Sequence, residues 1–250
     1  GGAGGNGAGS FRPGGSGGSG LVLISYPLVQ YTTTGTVSTT TINNYTLIRF
    51  TSGSGTINFS NILNNTAVNF VVVSGGQNRS GNDNITGGAG GNVIYGTINP
   101  TLNTSISISV GAANATSSIT GTNISIAANP PGGSASTATG SIITQSTIAA
   151  GGAGGQNSYV YSSYNSAFKS ATPGGNGVFI TNLQQYYGGG GGGYAFQGNI
   201  AAGGLGGGGA GGKISPSVPA TPGTNNTGGG AGGVYQASVS GGSGVVIFYF

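Results

Sequence analysis

The sequence predicts an all-β protein in which β-sandwich-like strands are combined with glycine-rich segments, without significant helix. Three observations predict it. β-Branched and aromatic residues recur with a period of two in short runs. Helix formers are nearly absent: the 250 residues include no Glu and two Lys, and no apolar 3.6-residue period extends beyond a few residues. Glycine supplies 58 residues, several times its ordinary share of about 7%.

The strand-like runs are residues 21–26, 45–51, 68–73, 105–110, 119–126 and 245–250. In 105–110, Ile106 and Ile108 share one face and Ser105, Ser107 and Ser109 the other, because alternate residues of a strand point the same way. The threonine runs 32–34 and 39–41 lack the regular repeat that an ordered ice-binding row requires, and β-propensity accounts for them.

The glycine-rich tracts are 1–20, 87–91, 151–155, 188–193, 203–212 and 228–233. Ordering a glycine in a regular element costs about 0.5–1 kcal/mol relative to alanine, so ordering every one would cost tens of kcal/mol on that scale. Either the tracts stay flexible, or they order because only glycine lets backbones approach closely. The second outcome takes the form of left-handed threefold polyglycine-II helices bonded to one another through peptide groups. The apolar anchors Val93, Ile94 and Tyr95, and Tyr194 and Phe196, separate the tracts and favour partial ordering of this kind. No strict G-X-Y period is present, which excludes collagen.

Six residues carry charge: Arg12, Arg49, Arg79, Lys169, Lys213 and Asp83. There is no His, Cys, Met or Trp. That composition leaves out thiolate and imidazole metal sites, disulfides, Ser-His or Cys nucleophiles and paired carboxylates. The expectation is therefore no enzyme, no cofactor and no metal. Five scattered cations make no basic patch, so nucleic acid is not an expected partner. The longest apolar runs, 21–24 and 245–250, fall far short of the roughly 20 residues of a membrane helix, so no membrane insertion is expected. A chain that starts at Gly1 and has no Met is expected to be a processed product or a stretch of a longer protein.

An internal echo sets the expected domain organisation. Residues 17–26 read G-G-S-G-L-V-L-I-S-Y and residues 241–250 read G-G-S-G-V-V-I-F-Y-F. Such a match arises by chance in so biased a composition, or it marks a tandem repeat. On the repeat reading, 1–26 is the tail of one repeat and 27–250 the next, with an Asn/Ser/Thr-rich β part at 27–150 and a glycine-rich part at 151–250 that ends in a strand.

The landmarks Y-T-L-I-R-F at 45–50, S-G-T-I-N-F at 54–59, V-N-F-V-V-V-S-G-G at 68–76, S-I-S-V-G-A at 107–112, the long glycine tracts and G-G-S-G-V-V-I at 241–247 together resemble the glycine-rich repeat domains of phage tail-fibre-like, giant-virus and bacterial surface proteins. The resemblance covers most of 45–250. It implies a surface-exposed fibre or adhesin role and no catalytic residue.

Motifs that resemble chemistry have simpler readings. Gly207 to Ile214 reads G-x-x-x-x-G-K-I, but a phosphate loop needs Ser or Thr after its Lys. Asn82-Asp83-Asn84 offers one carboxylate where calcium sites use several, and an Asx-turn suffices. Nothing places a Ser beside Lys169 or Lys213 for Ser–Lys catalysis. Nine N-x-S/T sequons, at Asn44, Asn58, Asn64, Asn78, Asn84, Asn103, Asn114, Asn123 and Asn225, are candidate glycosylation sites. Eight of them lie between 44 and 123 and would decorate one end.

Two functions are expected from these features. In the first, the chain is a structural subunit or repeat of an extracellular or virion-surface fibre that binds copies of itself through strand and glycine-backbone contacts. A chain so poor in charge lacks both like-charge repulsion and guarded strand edges. The strands carrying Leu21, Val22, Leu23 and Ile24 and Val245, Val246, Ile247 and Phe248 are expected to occupy equivalent places in successive repeats and join them. In the second, the chain is an adhesin tip. Tyr159, Tyr161, Tyr164, Tyr186, Tyr187, Tyr194 and Phe196, beside Asn and Gln, would then meet a cell-surface glycan or receptor. The plainer alternative for these rings is that they cover bare glycine backbone.

Overall fold

The computed structural model describes residues 29–63, 66–81, 86–158, 170–195, 198–214 and 216–250. They form a nearly all-β protein whose only helical element is the 3-10 turn Thr181–Leu183. The strands, in chain order, are β1 (Val29–Ile42), β2 (Tyr45–Ile62), β3 (Val68–Val73), β4 (Arg79–Gly81), β5 (Val93–Ile98), β6 (Ser105–Val110), β7 (Ser117–Gly121) and β8 (Ile124–Ala128). They continue with β9 (Thr137–Thr139), β10 (Ile143–Ala149), β11 (Asn157–Ser158), β12 (Ser170–Ala171), β13 (Val178–Ile180), β14 (Gln185–Tyr187), β15 (Ala237–Val239) and β16 (Val245–Tyr249).

One antiparallel sheet organises the molecule in the order β10-β5-β3-β16-β2-β6-β7-β8-β9, with β1 on β2. β1 follows β2 from Val29 opposite Ile62 to Ile42 opposite Tyr45. The other edge of β2 is shared in succession by β16, on Leu47–Phe50, and β6, on Gly53–Asn58. At the start of the second stretch the register with β1 slips, and Gly53, Ser54 and Gly55 stand against Gly35 alone. An insertion of this kind bends a strand pair. Gly35 and Gly53 take the required positive φ, +95° and +66°.

The bend turns the sheet into two arms that face each other and nearly close into a barrel. At the seam Ile142 donates to the Asn123 carbonyl (3.5 Å) and its own carbonyl accepts from Asn99 (2.9 Å). The period-two pattern supplies the core. Ile48, Phe50, Phe70, Val72, Ile94, Val246 and Phe248 from one arm meet Ile57, Phe59, Ile106, Ile108, Ile119 and Ile126 from the other. The Phe248 ring lies edge-on to Phe50 (6.3 Å) and Phe59 (6.0 Å). Each such ring stabilises the fold by about 1.5–3 kcal/mol through burial. The outer face of the first arm is covered by β13, the 3-10 turn and β14, which bury Ile180, Leu183 and Tyr187 against Leu47, Val71, Val245 and Ile247.

Strands β3 and β6 form over the residues expected from the alternation, with Ile106 and Ile108 buried and Ser105 and Ser107 exposed. The run 119–126 does not form one strand. It splits into β7 and β8 at a turn through Thr122 and Asn123, with Asn123 at φ +62°. Asn43, Asn44, Asn103, Asn114 and Asn226 also adopt the left-handed conformation. Asn tolerates it better than most residues, so turn chemistry is one reason the β part is rich in Asn.

The glycine tracts grow out of the sheet. Ala149, Val93, Val73 and Val245 lie in one row across β10, β5, β3 and β16. Each of these strands passes directly into a glycine-rich tract at that end. Two buried serines mark the crossing. Ser74 Oγ accepts from the Asn92 amide (2.9 Å) and Ser117 Oγ from the Gly111 amide (3.0 Å). The two compositional halves therefore interleave: 241–250 returns to the sheet, while 75–77 and 87–91 join the bundle.

Candidate assembly site

The tract 188–193 lies buried at the centre of a glycine bundle. Its peptide groups bond with a period of three. The amides of Gly189 and Gly192 donate to the carbonyls of Gly206 and Gly209 (2.9 and 2.8 Å), and those of Gly190 and Gly193 to Gly175 and Thr172 (2.9 and 3.1 Å). The carbonyls of Gly188 and Gly191 accept from Gly152 and Gly155 (2.6 and 2.7 Å), and those of Gly189 and Gly192 from Gly230 and Gly233 (both 2.8 Å). Gly191 donates to Gly88 and Gly190 accepts from Gly204 (both 2.8 Å). One threefold helix thus bonds to tracts around 88, 153, 174, 203, 208 and 231, the six-neighbour packing of polyglycine-II. The expected ordering of these tracts is present, with peptide groups satisfied by peptide groups.

Close approach, not dihedral freedom, demands glycine here. A Cβ built on Gly190, Gly191, Gly192 or Gly193 would fall within 3.0 Å of the backbone carbonyl oxygen of Ala153, Ala231, Ala201 or Gln156, respectively. The surrounding tracts 87–91, 151–155, 208–212 and 229–233 all read G-G-A-G-G. On a threefold helix residues one and four share a face, as do two and five, and the central alanine points in the third direction. Ala153 is exposed there, Ala89 and Ala210 are half-buried, and Ala231 is enclosed. Each residue takes part in two main-chain bonds and shares each with another residue, so bonding contributes about 0.5–1.5 kcal/mol per residue. Ordering the backbone costs about 1–2 kcal/mol per residue. The near balance makes the bundle depend on its tether to the sheet.

Few charges are involved. The Arg79 guanidinium donates Nη2 to the Gly87 carbonyl (2.7 Å), and burial lowers its pKa. Arg49 is half-buried, and its Nε has no hydrogen-bond partner. Among the described residues no three metal-ligating side chains cluster. No described helix is long and apolar enough to cross a membrane.

The structure places Val245, Val246, Ile247 and Phe248, expected to join repeats, inside the sheet. β16 is a central strand, paired with β2 on one edge and β3 on the other, and all four side chains are buried. Both edges are satisfied within the chain, so β16 offers none to a second unit in this conformation. Deleting 245–250 would remove the middle of the sheet, and loss of fibres would then report unfolding. Leu21, Val22, Leu23 and Ile24 lie outside the described residues.

Of the aromatic residues expected at a receptor surface, two are buried. Tyr187 is 1% exposed and Tyr194 7%, so neither ring is presented to a ligand. Tyr194 packs on the backbone of Gly212, where a Cβ would meet its ring at 3.1 Å, and lies 6.1 Å from Tyr235. Tyr186 is half-buried and tilts against Phe179 at 4.7 Å. Tyr159, Tyr161, Tyr164 and Phe196 lie outside the described residues. Sequence reasoning missed Phe179, which is 41% exposed beside a shallow cleft of about 250 Å³. Tyr95, Asn69, Thr97, Gln145, Thr147 and Asn182 also line that cleft. The alternation in Val178–Ile180 was too short to signal this exposure.

Of the sequons, Asn44, Asn78, Asn103, Asn114, Asn123 and Asn225 are exposed. Asn58 is half-buried within β2, with its Oδ1 buried. Asn64 and Asn84 lie outside the described residues.

Among the described residues, the longest strand of the sheet with an unpaired edge is β1. Its sole strand partner among the described residues is β2, and none of its peptide groups bonds elsewhere among them. No curated protein and no solved structure matches the chain. A profile of the family described as a glycine-rich domain matches residues 51–250, and the chain belongs to that family.

Proposed function

We propose that the chain is a structural repeat of an extracellular or virion-surface fibre, of the kind found in phage tail-fibre-like, giant-virus and bacterial surface proteins, and that it acts by binding copies of itself. The observation that carries this reading is the bundle around Gly188–Gly193. Here several glycine tracts form an element that is held at its centre by peptide groups bonding to peptide groups and places no side chain there. Such an element suits a stiff spacer between neighbours better than a pocket. The nearly uncharged surface removes most repulsion between copies and the cost of desolvating ions at their contacts. Negative-stain microscopy with light scattering on the purified chain tests it. Filaments or higher assemblies at neutral pH are expected, and a monodisperse single particle at every concentration would contradict the reading.

The second reading is an adhesin tip, favoured by the cleft beside Phe179. An exposed ring flanked by neutral amides and hydroxyls is suited to stacking against and hydrogen-bonding a sugar. A tip appears as a single copy on an unlike shaft, whereas a shaft repeat appears many times along it.

A further inference from the structure

We infer that residues 37–41 of β1 form a pairing edge for the same edge of a second copy, antiparallel about a two-fold axis centred on Thr39. This rests on the self-assembly reading and names its contact.

Residues 37–42 pair with β2 without a register shift, whereas slips fall at Gln30/Tyr31, Thr34/Thr36 and Thr36/Val37. This stretch, V-S-T-T-T-I, is β-branched except for one Ser and holds no charge, Pro or Gly. Ser38, Thr39, Thr40 and Thr41 are exposed. Natural edges are guarded by Lys, by Pro, by bulges or by being very short. None of these guards occurs within 37–42, and the composition is that of segments that pair with their own kind. Among the described residues β1 is the longest strand with one edge unpaired, longer than β9 and β10 at the ends of the sheet path.

Charge selects the occupant. The edge has no ionic group to offer a charged partner strand, and its nearest cation, Arg49, is one strand inward, opposite Ser38. An identical edge meets it with no like-charge cost and with threonine against threonine, a favourable cross-strand pair. Symmetry restricts the register, and centring the pair on 37–41 puts Thr39 on the axis. A two-fold axis relating antiparallel strands stands perpendicular to the sheet and preserves its faces. Paired residues must therefore be of equal parity: Val37 opposite the partner's Thr41, Ser38 opposite the partner's Thr40, and Thr39 opposite the partner's Thr39. Such a contact is isologous and closes at two, so it joins units side by side and leaves axial growth to another surface.

The test measures mass by light scattering on the full chain from about 1 µM to about 1 mM, a range that spans weak pairing. The expected result is a concentration-dependent dimer. Ser38→Lys with Thr40→Lys places lysines opposite each other twice and should weaken dimerisation at least tenfold, with an unchanged circular dichroism spectrum and a melting temperature no lower than that of Ser38→Lys alone, which already faces Arg49. Ser38→Lys with Thr40→Glu places opposite charges in the same two pairs and should restore the dimer. A wild-type monomer throughout, a dimer indifferent to the double lysine variant, or failure of the charge-swapped variant to recover overturns the inference. Double lysine fibres that keep the side-by-side pairing and width of wild-type fibres overturn this contact and leave the fibre reading standing. A dimer without fibres does the reverse.

Discussion

The sheet and the glycine bundle satisfy their peptide groups in opposite ways. In the sheet, strands bond to neighbours in one plane, and the space between the arms is filled by Phe50, Phe59, Phe248 and their aliphatic partners. In the bundle, the central helix bonds in six directions, and no space remains for a side chain. Period two belongs to the first solution and period three to the second. The sheet derives its stability from side-chain burial. The bundle derives its stability from the absence of side chains, and its near-even balance of bond and entropy explains why its tracts start at strand ends.

The largest expected effect lies in the sheet. Phe248→Ala should cost about 3–5 kcal/mol by opening a cavity between the arms. Denaturant unfolding should show the loss, and a cost below 1 kcal/mol would mean that the arms do not share this core. The matching change in the bundle runs the other way, since it adds atoms. Gly191→Ala drives a Cβ into the Ala231 carbonyl and should cost about 3 kcal/mol, the upper part of the overpacking range. Ala153→Ser, on an exposed outward position of a neighbouring tract, should stay within about 0.5 kcal/mol. Equal effects at 191 and 153 would contradict the threefold assignment.

A smaller effect sits where the two regions meet. Burial pushes the Tyr187 phenol up to about 12, with Arg49 pulling it down and Tyr249 pushing it up. The folded protein therefore favours the neutral phenol, while the unfolded chain ionises near its ordinary value of about 10. Stability from this group is full below about pH 10 and is lost as the pH rises to about 12, by about 2–3 kcal/mol. Tyr187→Phe should flatten that part of the pH profile. An unchanged alkaline slope would place the ring in water.

Local patterns were legible in the sequence, and long-range placement was not. Val68–Val73 and Ser105–Val110 announce themselves by alternation within six residues. The glycine tracts admitted order or flexibility, and the repeated G-G-A-G-G was the available sign of three faces, two of them packed. Thr122 and Asn123 gave the turn inside 119–126 only a weak signal, because no Gly follows Asn123. That β16 lies between β2 and β3 depends on partners some two hundred residues away, so an apolar terminal run could not show whether its edges were free. Tyr187 and Tyr194 flank a tract without side chains, where no local apolar pattern can signal burial. β1 hid for a related reason: a threonine-rich strand lacks polar–apolar contrast, and its exposure follows from its place at the edge.

The central claim is that the glycine tracts are an ordered, mutually bonded bundle, and amide hydrogen exchange on the intact chain tests it most directly. The amides of Gly189–Gly193 should be protected to a degree comparable with Val71 and Ile247 in the sheet, at about a thousandfold or more over unstructured peptide. Exchange of those five amides at unstructured-peptide rates, while Val71 and Ile247 remain protected, would contradict the account.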